Sequence, residues 1–482
     1  MRTIVTSIIM YVCLIANAQS VSQIKADNSY IYGGGWGSTL KQADTNIDDN
    51  LSDISRLKKK YKKAPIELVK IGRSLYERKM VTEAREFANA ALAASKNKYA
   101  PAHILLGDIA AAADDSGEAA EQYEQAICVA PKNPDAYYKY AYVYRKISPS
   151  GAVAKLNDLH TQRPDVAVDA LVGRIYYMSN DFDKALAAYD KADKSKMEER
   201  DLSDYAMTAF FKQKYDKALE IAQFGLGKNP RHAAFNRLAF FNLTELKRYD
   251  EALQYADALF HKSDSAKFSY YDYTYYANAY AGAQQHEKAI EMYELALSQK
   301  DMDNKAKRAG VVKLLSDVYK AKEDYPNAIK YYKEYIACTD KPTANDIAGL
   351  AGLYVEQANS IKDLNEKKTV LIEADTAYAD LANKYENAVE YANLMRARVN
   401  AQMDPDSKLG MAKPYYEKLI ELIEPRAEKD ATERARIIES YRYMIAYNFI
   451  VKEDKNAAKA FATKLQAIDP ENEVAKQILE SK

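Results

Sequence analysis

The chain has 482 residues, 48% of them hydrophobic, with only 16 Gly and 13 Pro, too few for a protein of many short strands and tight turns. Lys plus Arg and Asp plus Glu are equal at 69 each, which excludes a global basic field for nucleic acid or an anionic membrane, and equally an acidic solvating tail. Helix is the default element, and any partner must be recognised locally.

Residues 1–18 carry an early cation, Arg2, an apolar run from Ile4 to Ala16, and the small-residue triplet Ala16-Asn17-Ala18 before Gln19. This is the pattern of a secretory signal peptide cut after Ala18. The run is shorter than the roughly 20 apolar residues that span a bilayer, so no transmembrane segment is predicted. Bulky Val12 before Cys13 disfavours lipidation there. Residues 19–63 form a polar leader with a glycine cluster, Tyr32 to Leu40, that holds the single Trp, Trp36. The cluster lacks the final spaced glycine of a dinucleotide fingerprint and no βαβ unit follows. It also looks like the strand-to-helix opening of a small secreted α/β domain, yet the chain passes into repeats before such a domain is complete. A flexible or turn-rich leader is the plainer reading, with Trp36 available to dock on a partner or fold back. Lys58 to Lys60 with Lys62 and Lys63 read as a solvated basic helix start.

From residue 64 to 340 the chain repeats itself. The phrase DFDKALAAYDKA at Asp181 recurs as YDKALEIAQFG, YDEALQYADAL, HEKAIEMYELA and YPNAIKYYKEY. Anchored on Ala84, Ala119, Ala152, Ala185, Ala218, Ala252, Ala289 and Ala328, the spacings are 35, 33, 33, 33, 34, 37 and 39. Large-small pairs such as Ile71-Gly72, Leu106-Gly107, Tyr140-Ala141, Val172-Gly173, Tyr205-Ala206 and Tyr276-Ala277 precede most anchors by twelve residues, and Pro131, Pro164 and Pro230 follow theirs by twelve. A small residue facing a small residue lets two helices approach closely, and the proline marks where the second helix stops. Residues 341–482 keep helical periodicity but loosen the spacing, with candidate anchors Ala374, Ala412 and Ala458 and a final polar-faced helix, as the end of a repeat array needs.

The period near 34, the small pairs and the prolines resemble the tetratricopeptide repeat family. The resemblance implies an all-α fold: an α-solenoid, a right-handed superhelix of about ten to eleven stacked antiparallel helical hairpins, the C-terminal ones degenerate. It also implies a concave groove lined by the first helix of each hairpin, at positions three before, one after, and four and five after the small residue. Carried over repeat by repeat, this gives Tyr138, Tyr142, Arg145 and Lys146 from the third repeat, Arg174 and Tyr177 from the fourth, Met207, Phe210 and Phe211 from the fifth, Phe240 from the sixth, which carries an extra residue, and Asn278 from the seventh. Aromatics with arginine on a concave surface have the composition of a protein-binding hot spot. The alternating Lys and Asn that related chaperone-binding repeats use to clamp a terminal carboxylate are missing.

Most of the 40 tyrosines read as core, including Tyr123, Tyr189, Tyr293 and Tyr332 on second helices. In the run Phe268 to Tyr280, a 3-to-4 spacing turns Tyr273, Tyr276 and Tyr280 inward. The five histidines are scattered among repeats without HExxH, and no CxxC occurs, so no catalytic, metal or cofactor site is predicted. Asp114-Asp115 and Asp404-Pro405-Asp406 read as turns rather than calcium loops. Cys128 and Cys338 fall on helices too far apart for a disulfide, which needs Cα atoms within about 7 Å, and read as small core hydrophobes. The expected function is a non-enzymatic interaction scaffold or adaptor, exported to the periplasm of a Gram-negative cell or beyond. It would hold a peptide or folded protein in the groove as part of an envelope or outer-membrane complex. A glycan- or cell-surface-binding repeat protein is the alternative, and the single Trp weighs against it.

Overall fold

The computed structural model describes residues 54–481. The cleavage site, Cys13, the glycine cluster and Trp36 lie outside them. Among the described residues there are 24 α-helices and no strand, arranged in two compact units that divide between Ala266 and Lys267.

The first unit opens with α1 (Ile54–Lys60) and continues as six helix pairs. These are α2 (Pro65–Glu77) with α3 (Val81–Ser95), α4 (Ala100–Ala112) with α5 (Ser116–Val129), and α6 (Pro134–Tyr144) with α7 (Pro149–Gln162). They continue as α8 (Asp169–Met178) with α9 (Phe182–Tyr189), α10 (Glu199–Phe211) with α11 (Tyr215–Lys228), and α12 (Ala233–Glu245) with α13 (Tyr249–Asp257). The second unit holds α14 (Tyr270–Gly282) with α15 (His286–Leu297), α16 (Lys305–Ala321) with α17 (Tyr325–Cys338), and α18 (Ala344–Ser360) with α19 (Leu364–Lys384). It ends with α20 (Val389–Met403), α21 (Lys413–Ile423), α22 (Ala431–Ala446), α23 (Lys455–Ile468) and the short α24 (Glu473–Glu480). From α2 onward consecutive helices pack on each other within each unit, and α1 packs on α3, because each pair has one apolar face that only the next pair covers.

The predicted register appears in the coordinates of this array. Each anchor from Ala84 to Ala328, and Ala458 as well, is the fourth residue of a second helix and is fully buried. A Cβ built on Gly72 would stand 3.3 Å from the Ala84 carbonyl oxygen and 2.9 Å from Leu105 Cδ2, so the small-on-small crossing leaves no room for even a methyl without movement. Pro131, Pro164, Pro230 and Pro470 each fall two residues past the last residue of a second helix. Ala185→Leu or Ala218→Leu is therefore expected to destabilise the first unit by about 1–3 kcal/mol. Ala187→Leu, at an exposed position of the same helix α9, should melt like the parent.

The turn inside most hairpins has one construction. Five residues before the anchor the backbone turns left-handed, at Lys79, Asp114, Asn180, Gln213, Lys247, Gln284, Glu323 and Glu453, with φ between 54° and 66°. The next amide then reaches back five residues, as in Met80 N–H to the Leu75 carbonyl and Gln285 N–H to the Tyr280 carbonyl, both 2.9 Å, except after Glu453, where Asp454 N–H reaches the Asn448 carbonyl six residues back. This closure satisfies carbonyls that the helix end leaves without partners. Asp115, Asp181, Asp324 and Asp454 cap the helix that follows through their carboxylates. The turn between α6 and α7 is one residue longer; Ser148 caps α7 instead and no left-handed residue is used.

Within the stretch read as a regular array, α13 widens into a π-turn at Ala258–Lys262, residues 263–269 carry no helix, and the compact units part after Ala266. Several other expectations need correction. Ala374 is buried, but it sits in the middle of the 21-residue α19. Ala412 is the cap before α21, at the end of a loop drawn together by the Asp404 carboxylate, which accepts from Leu409 N–H at 3.0 Å and Met411 N–H at 3.3 Å. Neither holds the repeat register. Cys128 is exposed and Cys338 half-buried, both as free thiols, because each lies near the end of its helix rather than on the packed stripe. In α14, Tyr276 is buried as expected, whereas Tyr273 and Tyr280 are half-buried and Tyr270, Tyr271 and Tyr275 take the core. Tyr123, Tyr189, Tyr293 and Tyr332 are buried.

Candidate partner-binding face

In the first unit, the first helices α6, α8, α10 and α12, with the two residues just past the end of α6, carry all the predicted groove residues except Asn278. Asn278 lies on α14 in the other unit, where its side-chain oxygen accepts from the Tyr293 hydroxyl at 2.5 Å. It therefore holds its own hairpin together.

Two helices supply a polar-aromatic surface. On α6, Tyr138 and Tyr142 are half-buried, and just past its end the Arg145 guanidinium lies 3.9 Å from the centre of the Tyr142 ring and donates to the Tyr142 carbonyl. Lys146 is exposed and pairs with Asp114 at 2.6 Å. On α8, Tyr177 is half-buried, and Arg174 donates from Nε to the Asp201 carboxylate of α10 at 2.9 Å. Met207 on α10 is also half-buried.

The phenylalanines behave otherwise. Phe210 and Phe211 keep only 7% of their surface each and Phe240 keeps none. They belong to a run of ring contacts: Tyr177 to Phe182 at 6.0 Å, Phe182 to Phe211 at 4.9 Å, Phe211 to Phe210 at 6.1 Å, Phe210 to Phe241 at 6.4 Å and Phe241 to Phe240 at 5.3 Å. The reason is that α12 is buried from Phe235 through Thr244 apart from Arg237, so the position after its small residue opens onto neighbouring helices rather than onto a groove. These three residues are core.

A buried charge network sits at the same repeat position four hairpins earlier. Asp108, one residue after Gly107, pairs with Arg73 of α2, accepts from Lys139 Nζ of α6 at 2.7 Å and from the Tyr123 hydroxyl of α5 at 2.8 Å. Burial raises the Asp108 carboxyl, but Lys139 and then Arg73 outweigh it and leave it below its ordinary value. The sequence signal was present: Arg73 and Asp108 follow Gly72 and Gly107 by one, as Tyr142 and Arg174 follow theirs.

On α10 the balance goes the other way. Burial pushes the Asp204 carboxyl up to about 7, against the pull of Arg174 and Arg200. A carboxyl raised in the folded state from an ordinary value of 3.8 contributes stability that is complete below that value and is lost as pH rises to about 7. Asp204→Asn should therefore stabilise the first unit at pH 8 by about 1–2 kcal/mol, the figure being reduced for partial exposure, and should make no difference near pH 3. Urea unfolding at the two pH values checks it.

The fold and this face define a helical-repeat protein. Residues 104–164, spanning α4 to α7, match the tetratricopeptide repeat family, so the chain carries repeats of that family, and the same anchor and turn recur in the neighbouring hairpins. No curated protein sequence matches the chain. Among solved structures it is similar to the C-terminal part of a TPR repeat-containing protein from Cytophaga hutchinsonii, at 26% identity over 58% of this chain and 100% of that one, with a TM-score of 0.44. It is also similar to a tetratricopeptide repeat protein from Parabacteroides merdae, at 17% identity over 49% of this chain and 93% of that one, TM-score 0.35. A third likeness is to PilF of Pseudomonas aeruginosa, at 14% identity over 48% and 90%, TM-score 0.30. No helix among the described residues is long and apolar enough to cross a membrane.

Proposed function

We propose that the protein is a non-enzymatic scaffold of the bacterial envelope, exported across the inner membrane, that holds a partner peptide or protein against the first-helix face of α6, α8 and α10. Tetratricopeptide repeats bind protein partners, and this supports the general class. The observation that carries the reading is a division of labour among aromatics. Second-helix tyrosines such as Tyr123, Tyr189 and Tyr293 are buried, whereas Tyr138, Tyr142 and Tyr177 on first helices keep part of their surface open beside Arg145 and Arg174. Tyr and Arg at such a surface offer contact area at low entropic cost. The leader at residues 1–18 supports export.

The test is crosslinking and affinity capture from the native envelope with the parent and with a Tyr142→Ala, Tyr177→Ala variant. Each truncation should weaken binding by about 2 kcal/mol while helical content and melting stay at the parent's values. Unchanged capture of a reproducible partner would place the binding surface elsewhere.

A further inference from the structure

Arg145 is a cation without a carboxylate. Its guanidinium is half-buried at the end of α6, lies against the Tyr142 ring and donates to the Tyr142 carbonyl. The charged side chain that acts on it most is another cation, Arg200, at the start of α10. Neighbouring arginines on this face are differently placed: Arg174 has the Asp201 carboxylate at 2.9 Å. Arg174 and Arg200 act on the Asp201 and Asp204 carboxylates, with Glu198 also beside Asp201, whereas no carboxylate is among the groups that act on Arg145. A half-buried cation that donates to a backbone carbonyl and faces a second cation is left short of a countercharge.

We propose that this face is built for an acidic peptide segment of a partner protein, with a side-chain carboxylate of that segment seated on Arg145 beside Tyr142. The proposal rests on the scaffold reading above and adds the chemistry of what is held. A planar guanidinium with one edge unused favours a carboxylate in two-point contact, and the Tyr142 ring behind it keeps the fork in place. Arg200, the second cation acting on Arg145, would help draw an acidic segment in from solution and orient it.

The probe is a fluorescein-labelled hexaglutamate peptide, acetylated at its N-terminus and amidated at its C-terminus, titrated into the full chain by fluorescence anisotropy beside the matching hexaglutamine. The expected result is binding of hexaglutamate and not hexaglutamine, weakened about tenfold or more by Arg145→Gln and less by Arg145→Lys. It should stay unchanged by Arg231→Gln, an exposed arginine paired with Asp264. Binding should also fall as salt rises from about 0.05 M to about 0.5 M, where the screening length becomes a few ångströms. Equal binding of the two peptides, parent-like binding by both Arg145 variants, or insensitivity to salt would each overturn the proposal.

Two further arms separate other occupants. Binding of a free-acid hexaglutamine as tightly as the amidated hexaglutamate would assign the site to a chain terminus. Binding of hexaglutamate only after Asp44, Asp48, Asp49 and Asp53 are changed to Asn would assign it to the chain's own acidic segment; either result rejects a partner's side chain. If Arg145→Gln leaves the probe unaffected while the Tyr142, Tyr177 variant loses its captured partner, the acidic specificity falls and the scaffold reading stands.

Discussion

Asp108→Ala is expected to destabilise the first unit by about 3–5 kcal/mol, because it leaves two cations facing each other in the interior without the carboxylate between them. Lys139 is only 6% exposed and Arg73 18%, so water cannot take over the role of the lost anion. The Tyr123 hydroxyl loses its acceptor in the same step. Chemical denaturation, read at the transition of the 54–266 unit, measures the cost. An apolar replacement of all three groups, Arg73→Met, Asp108→Leu and Lys139→Met, should cost less than Asp108→Ala alone, since the two cations are then removed together with the carboxylate that held them. The pH dependence has a definite sign. The Asp108 carboxyl is held below its ordinary value of 3.8, so its contribution is present above that value and disappears as pH falls through the lower, folded-state value. Acid should destabilise the parent more steeply than Asp108→Asn.

Phe240→Ala should cost about 3–5 kcal/mol of stability, and lost partner capture in that variant would follow from unfolding rather than from a missing contact. The ring is fully buried and packs edge-on against Phe241, so its removal leaves a cavity at the centre of α12. Thermal melting separates it from Tyr142→Ala, which should melt like the parent. A small shift for Phe240→Ala would mean that α12 can close over the gap.

The contrast between these residues shows where sequence reasoning ends. Ala84, Ala185 and Ala218 were legible because a close helix crossing demands a small side chain whatever its neighbours are, and the demand repeats with the period. Position alone did not determine the residue after the small one. Arg73, Asp108, Tyr142, Arg174, Met207 and Phe240 occupy that same place in successive hairpins, yet the series runs from a buried ion network through a half-open surface to solid core. What decides each case is the set of side chains supplied by the adjacent hairpins, some 27 to 35 residues away in sequence for Arg174–Asp201 and Arg73–Asp108, and periodicity carries no information about that. The parting of the chain at residue 266 was equally hidden. Its one trace was the spacing of 37 between Ala252 and Ala289, which records an insertion but does not say that the π-turn at Ala258–Lys262 takes part of it up.

The hairpin turns bear on how the chain reaches its folded state. Most close through an amide and a carbonyl five residues apart, with no long loop to bring together, so a turn can form before anything distant in the sequence has arrived. Folding can then begin in any hairpin and spread to the next, as in a one-dimensional lattice. Asp108 is the exception to this locality. Its partners come from three successive hairpins, on α2, α5 and α6, so the network completes only when all three have docked. The N-terminal hairpins should accordingly open and exchange their amide protons as one block, while hairpins without such a bridge fray one at a time.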